Sequence, residues 1–163
     1  MPSRKTLFIV RHGKSSWEYE NISDIDRPLK LRGIRNAYEM ARRLKIECQV
    51  PELFISSPAN RALHTASIFL NVYELGYDRL KVQELLYGGG VDGITGIIKS
   101  QSPAVSKLMI FGHNPDFSDL ATTFAKKSYV ELPTCGIAIF EFNSTAWEKI
   151  GRNNVVSEYY DSP

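Results

Sequence analysis

Thr6-Leu7-Phe8-Ile9-Val10, running without a break into Arg11-His12-Gly13, is the stretch on which the fold turns. Its β-branched, aromatic and aliphatic side chains lack the polar alternation of a half-solvated strand, so they predict a strand buried on both faces of a mostly parallel sheet. Lys107 to Phe111 repeats that character, and Leu53 to Ser56 is a shorter instance. Between these runs, apolar residues recur at helical spacing: Ile34, Ala37, Tyr38, Ala41 and Leu44, then Ala62, Leu63, Ala66, Phe69 and Tyr73, then Phe117, Leu120, Ala121 and Phe124. Strands alternating with amphipathic helices imply right-handed βαβ units, hence an α/β fold. Ser57-Pro58 and Asn114-Pro115 each set a good N-cap residue before a proline, which marks two helix starts directly after strands. Cys135 to Phe142 and Asn154 to Tyr160 read as later strands at a sheet edge, with Trp147 between them.

Length and composition bound the rest. At 163 residues one domain spanning 1–163 is expected, with a loose tail at Asp161-Ser162-Pro163. Apolar residues at 43% and charged residues at 23% exclude disordered and fibrous classes. The apolar runs fall far short of the roughly 20 residues a bilayer-spanning helix needs, and the basic start Met1 to Lys5 reads as the lead into a first strand rather than a signal segment. A net charge of +2 is too small for a nucleic-acid face. Cys48 and Cys135, far apart, fit neither a metal cluster nor a disulfide framework and are expected to be free thiols in the cytoplasm.

In open α/β sheets ligands gather outside the carboxyl ends of the strands, beside helix N-termini. There the three strands deliver Arg11-His12-Gly13, Ser56-Ser57-Pro58-Ala59-Asn60-Arg61 and Gly112-His113-Asn114-Pro115. The chain has 3 histidines, and two of them fall at such ends, each beside a glycine expected to let the backbone approach a ligand. Two guanidiniums and two helix N-termini make an anion pocket, with phosphate as the anion that suits arginine's planar fork. Within it a neutral imidazole can attack phosphorus, and His12 is the expected nucleophile, its second ring nitrogen fixed by a backbone carbonyl. His113 is expected to stabilise the equatorial oxygens as imidazolium. Lys14, Ser15 and Asn114 are candidate substrate-binding groups. Asp26, Arg27 and Arg32 read as a charge network ahead of the next helix, His64 as a surface residue, and Gly88-Gly89-Gly90 as a flexible rim.

The same residues carry a resemblance. Arg11-His12-Gly13, Ser57-Pro58-Ala59-Asn60-Arg61-Ala62-Leu63-His64-Thr65-Ala66 and Gly112-His113-Asn114-Pro115, in that order, resemble the histidine phosphatase (phosphoglycerate-mutase-like) superfamily. Lys14 to Trp17 and Asp26 to Gly33 are most similar to its small SixA-like phosphohistidine phosphatases. The resemblance implies a three-layer αβα sandwich with a mostly parallel sheet. It also implies a phosphorylated His12, a phosphoryl group bound by Arg11, Arg61 and His113, and no metal or cofactor.

Two departures shape the expectation. Where the mutase-type members carry a phosphate-touching asparagine this chain has Glu18, and in place of their lid it has only Glu84 to Gly90. Imidazole, with a conjugate-acid pKa near ~6.5, leaves phosphorus without the proton an alkoxide needs, so a lid-poor site suits P–N bonds. An open site also admits a histidine on a protein surface. The expected substrate is therefore a phosphohistidine-bearing protein, with Glu84 as acid or water-orienting base; a small phosphomonoester and a non-catalytic phosphate-recognition module are the alternatives. Metal hydrolysis through His12, His113 and Asp116 is disfavoured, because further ligands at metal-site spacing are not evident.

Overall fold

Alternation along the first strand decides which core each of its residues enters. In the computed structural model, which describes residues 4–47 and 50–163, β1 (Lys5–Arg11) sends Leu7 and Ile9 to one face and Phe8 and Val10 to the other. The chain then forms α1 (Leu31–Glu47), β2 (Leu53–Ser56), α2 (Asn60–Tyr73), β3 (Leu80–Val82), α3 (Gly90–Lys99), β4 (Lys107–Gly112), α4 (Asp116–Phe124), β5 (Ile137–Phe142) and β6 (Val155–Asp161). The strand order is β3-β2-β4-β1-β5-β6. The first four lie parallel to one another, β5 runs antiparallel to β1, and β6 antiparallel to β5. Helices α1 and α2 cover Phe8, Val10, Phe54, Met109 and Phe111 on one side. On the other, α3 and α4 cover Leu7, Ile9, Ile55, Leu108 and Ile110. The result is the expected α/β three-layer sandwich, and no large lid interrupts the path from β3 to α3.

Several elements depart from the sequence reading. β3 and α3 were not legible: β3 is three residues long, and the glycines at 90, 93 and 96 mask a helix whose buried Ile94 and Ile98, with half-buried Val91 and Ile97, pack against the core. Gly88-Gly89-Gly90 is a shaped turn rather than a flexible rim. Gly88 and Gly90 adopt φ of 80° and 74°, which glycine takes without strain, and the Gly90 N–H donates to Asp116 Oδ2 at 3.1 Å. The two proline-marked helices start later than expected. The backbone caps are Ala59 and Pro115, which frees Ser57 and Asn114 for other bonds. The tail is not wholly loose: Asp161 closes β6 and pairs with Arg43 of α1 at 3.1 Å, which ties the end of the chain back to that helix. Cys135 is buried and free, and burial pushes its thiol up to about 12; Cys48 lies outside the described residues. No helix among the described residues is long and apolar enough to cross a membrane.

The switch in strand order positions the site. From β1 the chain passes through α1 to β2, two places away, and returns through α3 to β4 between them. The carboxyl ends of β2, β4 and β1 therefore open side by side, the crevice where ligands of such sheets bind.

Candidate active site

Register, not sequence proximity, brings the two histidines together. Arg11 pairs with Gly112, and the His12 N–H donates to the Gly112 carbonyl at 3.0 Å. His12 and His113 thus follow on neighbouring strand ends, with ring centroids 5.0 Å apart and planes inclined at 53°. On the other side of β4 the Ser57 N–H donates to Phe111 O at 3.0 Å. The adjacent glycines serve protein packing rather than a ligand, which corrects the sequence reading. A Cβ on Gly13 would stand 2.9 Å from the Gly33 carbonyl oxygen, and one on Gly112 would stand 2.5 Å from the Phe117 ring.

His12 is 7% exposed, and its Nδ1 lies 2.7 Å from Gly13 O. A carbonyl oxygen only accepts, so Nδ1 carries the proton and the lone pair resides on Nε2. Burial first, with His113, Arg61 and Arg11 adding to it against the Gly13 bond, pushes the ring's pKa down to about 3. The His12 ring is therefore neutral at pH 7, with its lone pair on Nε2. For His113, burial first, then Arg61, push the pKa down to about 4, so before an anion arrives the ring is neutral; the imidazolium of the sequence reading belongs to the ring facing phosphoryl oxygens. Ser57 Oγ stands 2.8 Å from its Nε2. That hydroxyl accepts the Ala59 N–H at 3.1 Å; where it donates its own proton to Nε2, the His113 proton sits on Nδ1. His113 Nδ1 and Arg11 Nε are both buried without a hydrogen-bond partner. With the His113 proton on Nδ1 these are two unpaired donors beside the His12 ring, an arrangement suited to anionic oxygens, since an unmet buried donor costs about 1–3 kcal/mol.

The two arginines reach the site from different elements. Arg11 ends β1 and donates through Nη1 to Leu132 O at 3.0 Å. Arg61, in the first turn of α2 and 6% exposed, donates through Nη1 to the backbone oxygen of Asp24 at 2.6 Å and through Nη2 to its Oδ2 at 3.0 Å. Thr65 Oγ1 joins that turn to the His12 loop, donating to Arg61 O at 2.7 Å and accepting the Gly13 N–H at 3.0 Å.

Sequence reasoning missed Asp24 and Tyr87. Asp24 opens a 3-10 turn (Asp24–Asp26) and takes the Tyr87 hydroxyl on Oδ2 at 2.6 Å and Arg27 Nη1 on Oδ1 at 3.0 Å. The Tyr87 ring meets His113 edge-on, 5.3 Å between centroids. The Tyr87 bond first, then Arg61 and Arg27, hold the Asp24 carboxyl far below the usual carboxylate range against the effect of burial. Neither residue stands at a strand end, and their one signal in the sequence is polarity within loops.

The remaining candidates divide. Ser15 is buried, but its hydroxyl accepts Arg27 Nη2 at 2.7 Å. Arg27, sandwiched under the Trp17 ring at 3.2 Å, also donates to Ser16 O at 3.0 Å. The anticipated charge network thus centres on Arg27 with Asp24, while Asp26 accepts from Ser23 instead. Lys14 is exposed. Asn114 is engaged at both ends of its amide: Nδ2 donates to Leu132 O at 2.9 Å, and Oδ1 accepts the Ser118 N–H at 3.1 Å and its hydroxyl at 2.8 Å. It shapes the His113 loop. Glu84 is exposed within a 3-10 turn (Glu84–Leu86) and has no side-chain hydrogen bond among the described residues; Tyr87, just beyond, is what that turn sends to the site. Glu18 is exposed, and His64 lies on α2 away from these bonds. Among the described residues no group of three or more His, Cys, Asp or Glu could hold a metal ion, and Asp116 is committed to Gly90.

Comparison with known proteins identifies the family and the fold. Residues 7–91 match the family described as histidine phosphatase superfamily (branch 1). An uncharacterized protein of Mycobacterium tuberculosis is 30% identical over 141 residues, covering 80% of this chain and 85% of its own. Among solved structures, the protein histidine phosphatase SixA complexed with tungstate superposes with a TM-score of 0.80 at 22% identity, covering 96% of each chain. A mycobacterial glucosyl-3-phosphoglycerate phosphatase reaches 0.67 at 13% identity, covering 98% of each. These two structural likenesses are likenesses of fold.

Proposed function

The chain belongs to the histidine phosphatase superfamily, branch 1, and from that premise we propose that it is a metal-independent phosphatase acting on phosphohistidine in a protein through a phosphorylated His12. The observation that carries the reading is the His12 ring, held by Gly13 O at 2.7 Å so that the lone pair resides on Nε2. Nε2 forms a bond to phosphorus as the bond to the leaving group breaks, and that pair of electrons departs with the leaving group. Water then attacks the phosphorus, the pair returns to Nε2, and inorganic phosphate is released. Arg11, Arg61 and the Nδ1–H of His113 answer the charge on the phosphoryl oxygens, the contribution preorganised donors make to a transition state. An arriving dianion draws a proton toward His113, raising its pKa from the low value of the free site.

The choice of a phosphohistidine protein rests on leaving-group chemistry and access. Between Val82 and Gly90 the chain makes one 3-10 turn, and no buried carboxylic acid stands ready to protonate an alkoxide. A phosphorylated imidazole protonated on its far nitrogen departs as neutral imidazole and needs no such acid. A protein-borne ring can also enter a mouth that lacks a lid.

The test is to compare turnover of a phosphohistidine protein, p-nitrophenyl phosphate and a panel of phosphorylated metabolites, then to trap the labelled enzyme and map the phosphate. We expect the fastest turnover on phosphohistidine, label on His12, loss of about 10³-fold or more in His12→Ala, and no effect of chelators. Faster release from a metabolite overturns the substrate; label elsewhere overturns the nucleophile.

A further inference from the structure

The carboxylate of Asp24 has no role in the steps above, yet it is the charged group most firmly fixed at the pocket mouth. Its side chain is 48% exposed, whereas those of Arg61 and Arg27, which it joins, are each 7% exposed. Three side chains hold it at once: Arg27 on Oδ1, and Arg61 and Tyr87 on Oδ2. One of these, Arg61, is a phosphoryl-binding candidate, and another, Tyr87, packs its ring against His113. A carboxylate, held between two buried guanidiniums, therefore stands where the phosphoryl-binding candidates give way to solvent.

We propose that Asp24 is a specificity-determining residue: its fixed carboxylate at the mouth disfavours substrates that carry a second negative charge beside the phosphoryl group and favours leaving groups that are neutral or cationic. Two like charges a few ångströms apart near a protein surface repel, and the penalty falls on the leaving group rather than on the phosphoryl oxygens, which the arginines and His113 neutralise. The selection acts by repulsion against the wrong partner as much as by attraction to the right one. A phosphohistidine ring protonated on its far nitrogen is the favoured case, because a nearby carboxylate stabilises that protonated form. The carboxylate stays ionised through the working pH range, since the Tyr87, Arg61 and Arg27 bonds keep its pKa low. The inference rests on the phosphatase reading above and deepens it by naming the charge class of its substrates.

The experiment compares wild type, Asp24→Asn and Tyr87→Phe on three phosphomonoesters of one leaving-atom chemistry: phosphocholine, glycerol 2-phosphate and 3-phosphoglycerate, whose alcohols are cationic, neutral and anionic. The readout is the ratio of kcat/KM for phosphocholine to that for 3-phosphoglycerate. We expect wild type to favour the cationic ester, Asp24→Asn to reduce the ratio by about tenfold, and Tyr87→Phe, which keeps the carboxylate, to hold it within about twofold. In wild type the ratio should also shrink between low and 1 M salt, because exposed charges are screened; this arm needs no variant to fold. An unchanged ratio in a folded Asp24→Asn protein, or a wild-type preference for 3-phosphoglycerate, overturns the proposal. Failure on phosphohistidine alone would overturn the substrate reading and leave this ratio readable. If no ester is hydrolysed, the same three compounds are ranked by competition against tungstate binding, and the same ratio of affinities decides.

Discussion

At His12 a single hydrogen bond selects which ring nitrogen keeps its lone pair. With Nδ1–H committed to Gly13 O, the Nε2 lone pair is available at every pH where the ring is neutral, and burial extends that range down to about 3. His113 stays neutral to about 4 for the same first reason. We therefore expect the imidazole NMR signals of both rings in the free protein to be flat between pH 8 and 5. Saturating inorganic phosphate should move the His113 midpoint upward, because the dianion favours imidazolium. A midpoint near the ordinary ~6.5 in the free protein would contradict the buried, cation-flanked environment. Arg11, His12, Arg61 and His113 were legible because each follows a strand or opens a helix at a place where apolar runs stop. Asp24 and Tyr87 were not, because a loop residue's destination depends on a path that periodicity does not encode.

Among the elements, β4 and α4 govern His113 jointly. The Phe117 ring of α4 occupies the space a Cβ at Gly112 would need, 2.5 Å away. Gly112→Ala should thus force the strand end or the helix to shift, costing about 1–3 kcal/mol in denaturant unfolding and lowering kcat as the His113 ring leaves its place. Pairing it with Phe117→Leu should return part of both losses, a non-additivity expected of touching residues. Asn114→Ala should remove the bonds to the Ser118 N–H and hydroxyl and cost about 1 kcal/mol, as lost helix-start caps do. We expect it to affect kcat more than phosphate affinity, because Asn114 orients the His113 loop; a change confined to affinity would make it a substrate contact instead. The strands with uninterrupted apolar runs and the helices with a clear stripe were readable in the sequence. α3 was not, since its glycines conceal a stripe that only the packing of Ile94 and Ile98 against the sheet makes helical.

The whole molecule carries the consequence of burying two neutral histidines. In the unfolded chain each ring takes up a proton near ~6.5, whereas folded His12 and His113 do so near 3 and 4. The unfolded state thus binds more protons as the pH drops below about 6.5, so stability is lost on acidification through that window, at up to about 1.4 kcal/mol per pH unit per ring. Above it both states are neutral and the two rings contribute no pH dependence. Urea unfolding at pH 7.0, 6.0 and 5.0 should show this decline, and His12→Asn should flatten it; equal slopes would mean that the ring is solvated. What the sequence determined by itself is the alternation of buried strands and helices, and with it the delivery of two histidines and two arginines to the ends of strands, because periodicity and helix-start chemistry are local. Only the tertiary structure decided that Gly112 lies opposite Arg11, that Asp24 and Tyr87 join the pocket, and that His113 is uncharged. Those outcomes depend on strand order, on where loops land and on removal from water, which arise only when distant segments pack together.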